Sequence, residues 1–265
     1  MEKMKRSSVS AVIITLNEEE NIRRCLDSVK WVDEIVIVDG YSMDRTLEIA
    51  KEFGAKIIMH KFEGDFGLER NIGNQNAAGE WILALDADEE IPEETRTRIE
   101  EILERGSKFS AYNVLRNQYF IGRFMRYGGR RHRIVNFYRK DRACFDGKVH
   151  HLVKVEGDIC DAAFVINHYP FNSISQFIQK QDRYTLYEAR EMFEKYGAAQ
   201  LHMVRYNLTW KPLKMFLKSY LKKKGRRDGL HGLIFCILFS FIHFLKWAKY
   251  WELCQAHDRR GRQPE

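Results

Sequence analysis

The chain has 265 residues, 45% of them hydrophobic, with 17 Gly, 4 Pro and a formal net charge of +7. That length and apolar content can bury a proper core, as one large α/β domain or one domain with an appendage, and they exclude a disordered or low-complexity chain. Five scattered cysteines without C-x-x-C spacing exclude a zinc ribbon or a disulfide framework and fit a reducing cytoplasm.

The first residues loosely imitate a signal peptide, but the apolar part is short and runs into Asn17-Glu18-Glu19-Glu20, so it reads as a strand. Residues 9–15 are a continuous, β-branched-rich run, as expected of a strand buried on both faces. Asn17 is then expected to cap a helix that carries Ile22, Cys25, Leu26 and Val29 at helical spacing. A second strand, 34–39, ends in Asp39, and Gly40 with Ser42 supplies turn and cap for a helix through Phe53. Residues 55–59 make a third strand, 68–78 a helix, and 80–85 a fourth strand that opens into Asp86-Ala87-Asp88-Glu89-Glu90. Four strand and helix alternations predict a mostly parallel sheet covered by helices on both faces. Beyond Pro92 a helix runs to Arg105, and 111–120, 134–139, 149–155 and 162–169 read as further antiparallel strands before a long polar helix over 173–196.

In an extended segment Asp86 and Asp88 point to the same side. Two carboxylates projecting together repel unless a cation sits between them, and a hard divalent ion that also takes phosphate oxygens answers that need. Taken alone, the pair reads first as an acidic helix start around Pro92. Its companions change this, because ligands of open parallel sheets lie beyond the carboxyl ends of the strands, where Thr15 to Glu18, Asp39-Gly40 and Asp86 to Asp88 gather. No dinucleotide fingerprint or P-loop follows the first strand.

Taken together, Ile13-Ile-Thr-Leu-Asn-Glu18, Val38-Asp39-Gly40 with Ser42 and Asp44, Glu69-Arg-Asn-Ile-Gly73, Ala78-Gly-Glu80 and Leu85-Asp-Ala-Asp88 resemble family 2 of the inverting glycosyltransferases. Val149-His150 and Asn167-His168-Tyr169, leading into a helix with Arg183-Tyr184, resemble the subgroup around the bacterial lipopolysaccharide core glucosyltransferases. The resemblance implies the glycosyltransferase A fold, a Rossmann-like sheet, over residues 1–170, with 1–105 as the nucleotide-binding half and 106–170 as the acceptor side. It also implies a UDP-sugar donor and Mg²⁺ or Mn²⁺. Thr15, Asn17, Glu18 and Asp39 would hold the uridine, Asp86 the ribose, and Arg70 with Asn71 the pyrophosphate or base. Asp88 would ligate the metal, joined by His150. The subgroup's V-H-E run is replaced here by Val149-His150-His151, and His132 stands near the place of an upstream Asp, so His151 and His132 become the candidate bases.

Nine Lys or Arg and no acid lie between Tyr196 and Arg227, which leaves 35 basic against 37 acidic residues elsewhere. Residues 211–224 set Leu213, Phe216, Leu217, Tyr220 and Leu221 on one helical stripe and Lys214, Lys218 and Lys222 on another. Residues 229–245 are uncharged apart from two histidines and are rimmed by basic and aromatic side chains, slightly short of the roughly 20 apolar residues a span needs. Residues 171–265 are therefore expected to form a helical, basic, membrane-associating extension. They would hold the protein, as a peripheral or monotopic one, at an anionic surface on the cytoplasmic face of the inner membrane, facing a lipid-linked glycan acceptor. A non-catalytic RNA-binding or tethering protein and a sugar-1-phosphate nucleotidyltransferase are the competing classes. The first lacks any recognisable nucleic-acid motif, and the second lacks its Gly-rich basic loop.

Overall fold

The computed structural model describes residues 6–129, 132–146, 152–197 and 201–260. Two compact units result, Met1–Gln118 with Arg131–Pro170, and Tyr119–Arg130 with Phe171–Glu265.

The first unit alternates β1 (Val9–Thr15), α1 (Ile22–Ser28), β2 (Glu34–Asp39), α2 (Thr46–Glu52), β3 (Lys56–Met59), α3 (Phe66–Asn76) and β4 (Trp81–Asp86). A two-residue β5 (Glu89–Glu90), α4 (Glu93–Arg105) and β6 (Ala111–Phe120) follow, then β7 (Arg123–Phe124), which belongs to the second unit. β8 (His132–Arg139), a hairpin of β9 (Ala143–Asp146) and β10 (Leu152–Val155), and β11 (Ile159–His168) complete it. The main sheet has the order β3-β2-β1-β4-β8-β6-β11-β5. Every residue of β1 is buried, as its mostly apolar run requires for a strand flanked on both sides and covered on both faces, and the Ser10 hydroxyl donates to Glu34.

Strands β1 to β4 are parallel, β8 is antiparallel to both β4 and β6, and β11 is parallel to β6. The last pairing corrects the expectation of antiparallel strands throughout this half. Two reversals, β4 to β8 and β8 to β6, restore the original direction, and β11 joins the far side of β6 in that same direction. The carboxyl ends of β1, β2, β4, β6 and β11 consequently share one edge.

Two cap assignments also change. Asn17 adopts a left-handed backbone (φ 54°), donates its N–H to Ser42 Oγ at 2.8 Å and accepts from the Met43 N–H at 2.8 Å, so it ties two loops together and caps nothing. α1 begins later, with the Asn21 and Ile22 N–H groups donating to the Glu18 carbonyl. Ser42 serves Asp39, and Asp44 instead accepts from the Thr46 N–H at 3.0 Å where α2 starts.

Gly73 lets α3 lie against the sheet: a Cβ there would fall 2.3 Å from Val12 Cγ1 and 3.2 Å from Val38 Cγ2. Both neighbours are stiff β-branched side chains in buried strands. Gly73→Ala is expected to lower the stability of the fold by about 1–3 kcal/mol, read as a shift of the urea midpoint at unchanged slope.

In the second unit α5 (Ile174–Tyr196) packs along α8 (Gly229–Arg260). Between them in sequence run α6 (Leu201–Leu208), α7 (Trp210–Leu217), a π turn over Lys218–Lys222 and a 3₁₀ turn over Gly225–Asp228. The single helix expected over 211–224 is therefore interrupted. Phe120, Met125, Phe171, Phe177 and Phe235 form one core here, and Ala189, Tyr250 and Cys254 a second. The helical stretch Gly225–His257 is long and apolar enough to cross a membrane by length and composition, and 28% of its most apolar window is buried.

Candidate active site

At the ends of β1 and β2, Thr15 is the register partner of Asp39. Asp39 is fully buried and accepts from the Ser42 N–H at 2.7 Å and the Ser42 hydroxyl at 2.6 Å. Those two bonds leave lone pairs over, since a carboxylate offers about four acceptor positions. Glu18 donates its N–H to Thr46 Oγ1 and accepts from Asn21 Nδ2, both at 2.8 Å. The Thr15 hydroxyl is buried with no hydrogen-bond partner among the described residues. Four of the residues expected to read a nucleoside, Thr15, Asn17, Glu18 and Asp39, are thus assembled on adjoining loops.

The end of β4 is built from charge. Asp86 accepts from Arg70 Nη2 and from Arg116 Nη2, each at 2.6 Å, while Arg116 Nε lies 2.6 Å from Glu89 Oε1. The Asp86 N–H donates to the other Glu89 oxygen at 2.8 Å. Burial works to raise the Asp86 carboxyl, but Arg70 and Arg116 outweigh it and hold it below the usual carboxylate range. Glu89 has the weaker share of the cations, and burial pushes it up to about 7. Burial opposes the charge on Arg116 as well, yet Glu89, Asp86 and Asp88 raise its pKa above the ordinary arginine value. Arg70 is 6% exposed and turned to Asp86, while its neighbour Glu69 pairs with His60 at 2.8 Å. Asn71 turns its amide onto the backbone of Phe145, donating to the carbonyl and accepting from the N–H at 2.9 Å each, and so pins β9 over this cluster. A cleft of about 350 Å³ opens beside it, lined by Arg70, Asp86, Arg116, Arg133, Asn136 and Phe145 among others.

Asp88 meets a residue from the far end of the unit. His168, the last residue of β11, places Nε2 3.3 Å from Asp88 Oδ1, and its Nδ1 lies 3.1 Å from Gln118 Oε1. With an ion on the Nε2 lone pair, the ring's proton sits on Nδ1, where Gln118 Oε1 accepts it. Burial, reinforced by Arg116, lowers the His168 pKa and favours the neutral form. Ligand atoms of Asp86, Asp88 and His168 all lie within 4.8 Å of one another. Asp86 and Asp88 share the cluster with two guanidinium groups and a Glu89 pushed up to about 7, and an Asp88 oxygen faces the His168 ring. Oxygen and imidazole donors of this kind suit Mg²⁺ or Mn²⁺.

His132 opens β8 as the register partner of Arg116, exposed and on the same face. His150 and His151 lie outside the described residues. Among the described residues, the imidazole beside Asp88 is that of His168.

Sequence reading did not single out Arg116, Gln118, Glu89 or His168 for the site. A signal existed for two of them: Arg116 and Gln118 stand two apart at the carboxyl end of a strand, hence on one face, like the aspartates. His168 lay within a noted motif, but only the parallel direction of β11 brings it to this edge.

The glycosyl transferase family 2 model matches residues 10–157. An uncharacterized glycosyltransferase of Rickettsia felis is 30% identical over 259 residues, covering 91% of this chain and 88% of its own length. The lipopolysaccharide core biosynthesis glycosyltransferase LpsC of Rhizobium meliloti is 26% identical over 267 residues, covering 96% of this chain and 94% of its own. Among solved structures, TarS of S. aureus in complex with UDP-GlcNAc aligns with 97% of this chain and 93% of its own at 15% identity and a TM-score of 0.46.

Proposed function

Since the chain belongs to glycosyl transferase family 2, we propose that it moves a hexose from a UDP-sugar to a hydroxyl of a lipid-linked glycan such as lipopolysaccharide core, with inversion at the anomeric carbon. The juxtaposition of Asp88 and His168 at the shared strand edge carries this reading. Family membership also removes the non-catalytic and nucleotidyltransferase alternatives.

Each residue has a definable task. Asp39 and Glu18 accept hydrogen bonds from the ribose hydroxyls and the uracil N–H, and the buried Thr15 hydroxyl supplies a further polar contact. Asp88 and His168 would hold the divalent ion, with Gln118 accepting from the histidine Nδ1–H behind it. Arg70 and Arg116 fix the orientation of Asp86 between the nucleoside loops and that ion site. When bound, Mg²⁺ or Mn²⁺ neutralises charge developing on the leaving diphosphate. His132, or His151, removes the acceptor hydroxyl proton as the oxygen attacks from the face opposite the diphosphate. The lipid-linked acceptor is favoured by the likeness to LpsC and by the basic, apolar-faced second unit.

UDP with Mn²⁺ is expected to raise the melting temperature, UDP with chelator is not, and a panel of UDP-sugars should show slow metal-dependent hydrolysis of one donor. Absence of any metal-dependent UDP response would sink the proposal.

A further inference from the structure

α7 and the π turn after it leave one row of large apolar side chains in water. Trp210 is 61% exposed, Leu213 48%, Leu217 42% and Leu221 52%, and steps of three or four residues keep them on one side. Lys214, Lys218 and Lys222 each follow a leucine of that row by one position and are also exposed, so a basic row borders the apolar one. Lys223, Lys224, Arg226 and Arg227 extend the basic row, all exposed. α8 repeats the apolar half, with Leu230, Ile237, Phe241, Phe244 and Trp251 exposed at steps of three, four or seven.

α8 is not equally free all round. Its opposite face buries Phe235, Cys236, Ser240, Tyr250 and Cys254, and its flank is ion-paired to α5 through Lys246 with Glu188 at 3.0 Å and Lys249 with Asp182 at 2.7 Å. A span would carry α5 and these charges into hydrocarbon, which is costly. One apolar face open, one face built into protein and a basic border describe a helix pair lying in an interface.

We propose that the exposed faces of α7 and α8 are a docking surface for an anionic bilayer, on which the protein rests as a monotopic guest without crossing it. The charge selects this occupant. Two copies meeting through the same face would set lysine rows against each other, whereas acidic headgroups neutralise them. The surface deepens the lipid-linked acceptor reading, but its test needs no turnover, so either can fail while the other stands.

The full chain is floated with vesicles of phosphatidylcholine alone or mixed equally with phosphatidylglycerol. Binding is expected only to the anionic vesicles and is released by salt. Lys214→Glu, Lys218→Glu and Lys222→Glu together should lower partition roughly a hundredfold, and Leu213→Ser with Leu217→Ser and Leu221→Ser should also lower it. Both variants should keep the parent melting temperature and UDP–Mn²⁺ response, since none of these positions is buried. Partition unchanged in both variants, binding that resists salt and alkaline carbonate, or a dimer in sedimentation that both variants dissociate would each overturn the proposal.

Discussion

Asp88→Ala leaves a folded protein that no longer responds to metal. Its removal relieves the repulsion that Asp86 and Asp88 exert on each other within one cluster. The melting temperature without metal is therefore expected to stay level or rise. The increment given by UDP with Mn²⁺ should disappear, and transfer should fall by about a thousandfold, the scale of the several kcal/mol that a bound cation contributes to a departing diphosphate. Gln118→Ala is the graded companion. It frees the His168 ring without removing a donor atom, and should cost about 10–100-fold in metal affinity. If the metal-dependent shift survives in Asp88→Ala, the ion is held elsewhere and the roles assigned here are wrong.

Arg116→Met acts on the fold rather than on the ion. The side chain is 16% exposed and its two nitrogens serve Asp86 and Glu89. Without it Glu89 is left buried among carboxylates and Asp86 retains only Arg70, so a loss of about 3–5 kcal/mol is expected in chemical denaturation. Adding Glu89→Gln should recover a good part of the loss, and a double-mutant cycle measures that coupling. The pH dependence has a definite sign. Glu89 holds its proton in the folded state up to about 7, against an ordinary value of 4.5, so between those limits the native protein binds more protons than the unfolded chain and stability falls as pH rises. Asp86 behaves oppositely: its depressed carboxyl adds stability above its ordinary value, lost as pH falls further. Glu89→Gln should flatten the decline between about 4.5 and 7 and leave the acid limb in place.

The gathering of Thr15, Asp39 and Asp86 at one edge is legible in the chain because each ends a strand that periodicity identifies. Thr15, Asp39 and Asp86 follow continuous apolar runs, and parallel strands deliver such ends to one edge. The remainder of the site is hidden because its geometry depends on strand direction. Nothing in the alternation of residues 162–169 distinguishes parallel from antiparallel pairing with β6, yet that choice alone decides whether His168 faces Asp88 or lies at the opposite edge. The two cap assignments failed for a related reason. Asn17 and Ser42 were read as local helix signals, while their hydrogen bonds run across 25 residues to each other's loop. Asn71 is expected with Arg70 at the pyrophosphate or base, and its amide bonds the backbone of Phe145, 74 positions away.

The placement of His168 has a bearing on when the enzyme first becomes competent during its own synthesis. Asp86 and Asp88 leave the ribosome early, but the imidazole that completes their set comes with the final strand of the unit, some eighty residues later. A nascent chain emerges at about 5–20 residues per second, so for several seconds the acidic pair exists without the imidazole that comes to face it. The Asp88–His168 pair thus forms only when the last strand joins the sheet, and a chain cut short before β11 lacks that pairing.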